Sequence, residues 1–114
     1  MALFHRDIGF PEGVEQPAIG LILAYSRHAE DKAFTCGVAN LPPYLPEIFD
    51  VVEVEVINGR VSKWVVRMPW TATSDLVLVI VPDGWVKTVW VNRTTDLHAT
   101  LDRSRYDVPE GSLV

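Results

Sequence analysis

The chain has a single cysteine, Cys36, among 114 residues, so no internal disulfide can form and stability has to come from burying apolar surface. It also lacks long apolar runs. The longest uncharged apolar stretches, 18–25 and 76–81, fall far short of the roughly 20 residues a membrane helix needs, and no span is expected. His5, Arg6 and Asp7 stand where a secretory signal would need a continuous apolar core, which makes a cytoplasmic location the simplest expectation. Basic residues are scarce: 10 Lys and Arg against 15 Asp and Glu give a formal net charge of −5, which argues against tight, nonspecific nucleic-acid binding. Metal-ligand spacing is missing too. His28, Cys36, Asp96, His98 and Asp102 include no CxxC or HxxxH pair, and there is no phosphate-cradling glycine loop or nucleophile elbow, so no metal and no cofactor are expected.

What remains is the composition of one folded domain, 48% hydrophobic and 22% charged. Its core is expected over about 19–106, with 1–17 and 107–114 as peripheral segments. The chain from Tyr106 onward reads as an exposed tail. Two hairpins stand out. Residues 50–57 (DVVEVEVI) alternate apolar and acidic, Asn58-Gly59 is the preferred type I′ turn dipeptide, and 60–68 (RVSKWVVRM) return. The pattern repeats in 75–81 (DLVLVIV), Asp83-Gly84 and 85–92 (WVKTVWVN).

Upstream, 19–25 (IGLILAY) is too short to classify by periodicity: a strand, the preferred reading, or the first turns of a buried helix. Ser26 is a suitable cap for a helix running to Gly37, and the prolines of 41–46 (LPPYLP) make a connector. Thr94 or Thr95 can cap a short turn through Asp102. The expected fold is therefore α+β: a four-stranded antiparallel meander packed on an N-terminal helix, with a short strand before it.

Period two places Thr88, Trp90 and Asn92 on one face of the last strand, and Lys63 and Arg67 on one face of the second. A two-residue turn at Asp83-Gly84 would set Asp75 opposite Asn92 and Val79 opposite Thr88. Charge is uneven along the chain. Residues 1–57 hold three basic and nine acidic side chains, whereas 58–106 hold seven basic and four acidic, so any basic surface belongs to the C-terminal half. Among the histidines, His5 reads as exposed near a terminus. His28 lies in the first turn of the helix, and His98 is flanked by Asp96 and Asp102, which would orient an imidazole or cap a turn.

The order of elements, with Ser26-Arg27-His28-Ala29 opening the helix and Val86-Lys87-Thr88-Val89-Trp90 closing the meander, resembles small phage and bacterial proteins related to the barnase, EndoU, colicin and RelE ribonuclease superfamily. The closing Asn92, Asp96, His98, Thr100-Leu101-Asp102 and Ser104-Arg105-Tyr106 resemble a phage-borne subset of it. The resemblance spans about 19–106. It implies metal-independent cleavage of RNA by attack of a 2′-hydroxyl on the adjacent phosphate, with His28 as base or acid and Thr88 holding a phosphate oxygen. Side-chain chemistry and strand parity add His98 as the partner of His28, Lys63, Arg67 or Arg93 as the phosphate-binding cation, and Asn92 beside Thr88. The competing reading is a nonenzymatic module or inhibitor that grips a host or phage protein through a sheet edge or the set Trp64, Trp70, Trp85 and Trp90. An enzyme requires these groups to converge in one cleft; a binding module requires an exposed apolar patch.

Overall fold

Two turns organise the chain's centre. Asn58 and Gly59 both take positive φ (52° and 76°), the backbone that a type I′ turn demands, and they join β3 (Asp50–Ile57) to β4 (Arg60–Pro69). Around Asp83-Gly84, β5 (Ser74–Ile80) returns as β6 (Trp85–Arg93). Here Val81 N–H donates to the Trp85 carbonyl, and a bulge falls between Val79 and Ile80. Beyond the bulge the register is the expected one, with Val79 opposite Thr88 and Asp75 opposite Asn92. In this computed structural model, which describes residues 1–95 and 102–109, β3 to β6 form an antiparallel meander.

The sheet is larger than the meander. Two more strands extend it to six, in the order β1-β3-β4-β5-β6-β2. β1 (Ala2–His5) pairs antiparallel with β3, and β2 (Ala24–Tyr25) pairs parallel with β6, so the sheet is mixed. Only two residues of the apolar run 19–25 form a strand; Ile22 instead makes an isolated antiparallel bridge to Tyr44 in the proline connector. Gly84 permits the close approach of the β5–β6 turn to Ile22. At its φ of +98° a side chain is strained, and a Cβ would overlap the Ile22 carbonyl oxygen.

The helix α1 (Arg27–Thr35) follows both outer strands and is therefore not N-terminal. Ser26 caps it, its Oγ accepting from Ala29 N–H at 3.0 Å. It ends in a Schellman motif: Val38 N–H donates to the Ala33 carbonyl and Gly37 N–H to that of Phe34, with Gly37 at φ +78°. Ala29 and Ala33 are buried, and their small side chains let the helix lie close on β6. Nine residues cannot cover six strands. The rest of that face is closed by Leu21, Leu23, Val38, Leu41, Leu45 and Phe49 from the connecting segments, packed with Trp64, Leu76, Leu78, Ile80, Val86 and Val89. Among the described residues no helix is long and apolar enough to cross a membrane.

The terminal segments also differ from expectation. His5 is only 4% exposed, because β1 carries it into the sheet beside Glu53. Tyr106 is half-buried and Pro109 is buried against Gly9, so the chain from Tyr106 to Pro109 is not an exposed tail. Leu3 and Asp107 hold it by a reciprocal pair: Leu3 N–H donates to Asp107 Oδ2 at 2.9 Å, and Asp107 N–H to the Leu3 carbonyl at 2.7 Å.

Candidate active site on the open face of the sheet

The pleat sends every second side chain to the face opposite α1. Register there defines successive rungs. One runs Thr88, Val79, Val65, Glu53, His5 from β6 to β1, and the next contains Trp90, Val77 and Arg67. Over this face a 3-10 turn, Arg103–Arg105, delivers Tyr106. The two layers enclose a cavity of about 330 Å³ lined by His5, Glu53, Arg67, Trp90, Asp102, Arg105 and Tyr106 over a floor of Val52, Val65 and Val77.

Its polar groups are tightly arranged. Tyr106 Oη donates to Glu53 Oε1 at 2.6 Å, and its ring meets that of His5 edge-on with centroids 4.9 Å apart. Desolvation, reinforced by the Glu53 carboxylate, pushes the phenol up to about 12, so it keeps its proton throughout the neutral range. His5 Nδ1 accepts from Asp7 N–H at 3.1 Å, which places the hydrogen of a neutral ring on Nε2. The Arg105 guanidinium lies 5.7 Å from the Tyr106 ring centroid, and its side chain is exposed.

Arg67 is only 7% exposed. Its Nε donates to Asp75 Oδ2 at 2.7 Å and its Nη2 to the Arg93 carbonyl at 2.9 Å, so the guanidinium braces β4, β5 and β6 as well as lining the cavity. Asp102 caps the 3-10 turn through Oδ1, which accepts from Ser104 N–H (3.1 Å) and Ser104 Oγ (2.6 Å). Those two bonds hold its carboxyl below the usual range. No three His, Cys, Asp or Glu side chains among the described residues gather as a metal site requires.

Of the site residues assigned from sequence, Arg67 lines the cavity, and so do Trp90 of the strand row and Asp102. Thr88 and Asn92 share its face, yet Thr88 is three strands from Glu53, about 14 Å at ordinary strand spacing. Lys63 pairs with Glu55 across β3 and β4 at 3.6 Å, and Arg93 contributes its carbonyl to Arg67 while its side chain is exposed. His28 is exposed on α1, which packs on the other face, and does not line the cavity. His98 and Asp96 lie outside the described residues. Sequence reading gave no site role to His5 and Glu53, nor to Arg105 and Tyr106, which entered only through the resemblance. The period-two alternation of β3 marks Glu53 as facing one side, but nothing local pairs it with a phenol 53 residues away.

Comparison of the chain with protein-family models, with curated proteins and with solved structures finds no match.

Proposed function

We propose that the protein cleaves RNA without a metal, on the open face of its sheet. The observation that carries this reading is the gathering of two carboxylates, an imidazole, a phenol and two guanidinium groups in one cavity, together with the resemblance of the chain to the barnase and RelE type of ribonuclease. The chemistry needs a base, a cation and an acid. Glu53 takes the proton of the 2′-hydroxyl, and the 2′-oxygen attacks phosphorus. Arg105, with Arg67 lining the same cavity, offsets the charge that accumulates on the phosphorane. The bond to the 5′-oxygen breaks, and that oxygen takes a proton from Tyr106, leaving a 2′,3′-cyclic phosphate and a 5′-hydroxyl. His5 packs edge-on against the Tyr106 ring and fixes its orientation.

The rival assignment within the same reading keeps His28 and His98 as the acid–base pair, with Thr88 and Asn92 on the phosphate and Lys63, Arg67 or Arg93 as the cation. Incubating the purified protein with assorted single-stranded RNAs in the presence of a chelator tests both. Glu53→Gln is expected to lower the rate by about 10²- to 10⁴-fold with little change in thermal unfolding. Loss confined to His28→Ala and Thr88→Ala would move the centre to the rival set.

A second reading, a nonenzymatic module that grips a protein partner, draws on one observation: Ile22, Tyr44 and Trp85 are exposed large apolar residues near one sheet edge. RNAs left intact by the wild-type protein would favour it.

A further inference from the structure

The same edge supports an inference that rests on the RNA reading and deepens it. Alternation along β2 and its extension buries Leu23 and packs Tyr25 partly against the core, which turns Ile22 and Ala24 to the open face. Trp85 pairs with Ala24 and precedes the buried Val86, so it too faces outward. Tyr44 bridges Ile22 and precedes the fully buried Leu45, which places it on that side as well. Tyr44 and Trp85 are 56% and 44% exposed. They belong to the sheet face that holds the cavity, at the opposite edge from His5.

A polar and aromatic row joins the two places. Along β6 the outward residues run from Trp85 through Lys87 and Thr88 to Trp90, which lines the cavity. Trp85 and Trp90 are five residues apart, about 16 Å of strand. Lys87, the extra residue of the β6 bulge, is exposed, and its carbonyl accepts from Ser26 Oγ at 2.9 Å, which brings the exposed Arg27 to the same edge. Neither Lys87 nor Arg27 forms an ion pair among the described residues. Flat exposed rings beside cations that form no ion pair, with the Asp83 carboxylate held by Trp85 N–H at 2.9 Å, match the alternating bases and phosphates of a single strand, whose bases stack on aromatic faces with little regard to sequence. A purely apolar protein contact would leave those two cations without partners.

We propose that Tyr44 and Trp85, with Lys87 between them and the cavity, form a stacking and phosphate-binding subsite for single-stranded RNA that extends away from the scissile bond. The subsite makes the enzyme prefer oligonucleotides to dinucleotides.

The probe is a 2′-O-methyl hexaribonucleotide, which cannot be cleaved because its 2′-oxygens carry no proton. Binding is read from tryptophan fluorescence and by calorimetry. The double variant Tyr44→Ala/Trp85→Ala is expected to weaken binding about tenfold or more, whereas Trp85→Phe, which keeps a stacking face, stays close to wild type. Lys87→Gln is expected to reduce the slope of log K against log salt by about 0.7. In cleavage assays the double variant should lose the advantage of longer substrates and retain the dinucleotide rate. Unchanged hexamer affinity in the folded double variant overturns the subsite, even if RNA is cleaved. A wild-type protein that binds no hexamer, or that self-associates through Trp85, overturns it as well and makes the edge a protein interface. Trp85-dependent binding of the hexamer without cleavage of any RNA sustains the subsite and removes the ribonuclease reading.

Discussion

The two faces of the sheet use the same strands for different purposes. In β5, Leu76, Leu78 and Ile80 are fully buried against α1 and the connecting segments, while Asp75, Val77 and Val79 of the same strand face the cavity side. The covered face is apolar throughout and closed by residues distributed over 21–49. On the open face, by contrast, Arg67, Asp75, Glu53, His5 and Tyr106 are drawn into hydrogen bonds and ring contacts around a floor of valines. Buried polar groups are costly when left unpaired, so an arrangement of this kind persists only where every member finds a partner. The covered face holds the fold together, and the open face carries the paired polar groups that line the cavity.

Substitutions on the two faces should separate these roles. The largest effect is expected from Trp64→Ala, which empties the centre of the covered face and orphans the Glu15 carbonyl to which Trp64 Nε1 donates. Denaturant unfolding should show a loss of about 3–5 kcal/mol. On the open face, Arg67→Met leaves Asp75 half-buried without its cation and should cost a comparable amount, about 3 kcal/mol. Adding Asp75→Leu should recover most of it, because replacing both partners removes the uncompensated charge; a double variant no more stable than the single one would show that Arg67 acts mainly through the Arg93 carbonyl.

A smaller change, about 1 kcal/mol, is expected for Tyr106→Phe, which deletes the bond to Glu53 and keeps the ring against His5. Its pH dependence has a definite sign. The folded-state phenol is raised to about 12 from an unfolded value near 10, so its contribution is complete below pH 10 and disappears as the pH climbs toward 12. The difference in stability between wild type and Tyr106→Phe should therefore shrink over that window. Burial raises Tyr25 as well, and that alkaline loss is common to both proteins. The smallest effect belongs to Lys63→Ala at the sheet's rim, where a 3.6 Å pair with Glu55 in partial contact with solvent is worth at most about 0.5 kcal/mol. A larger loss would place Lys63 inside the open-face network.

The local elements were largely legible. The Asn58-Gly59 turn, the alternation of 50–57 and 85–92, the Ser26 cap and the Gly37 stop each record their structure within a few residues, since backbone sterics and period-two burial act over that range; the two-residue turn expected at Asp83-Gly84 is instead a three-residue loop, 82–84, closed by Val81 and Trp85. The parity of Thr88, Trp90 and Asn92 was readable for the same reason. The candidate site was much less so. Of its polar lining only Arg67 was given a role from sequence, and its bond to Asp75 depends on the β4–β5 register, which no turn dipeptide marks.

By itself, then, the amino-acid sequence determined the four-stranded meander, the helix and its ends, and which side chains of each strand share a face. Only the tertiary structure decided that Ala2–His5 pairs with β3, that two residues after Leu23 add a parallel strand to β6, and that Tyr106 returns to meet Glu53 and His5. These contacts join residues separated by about 50 to 100 positions. No turn chemistry or periodicity spans such a distance, and closing so long a loop is favoured only once the sheet between its ends has already formed.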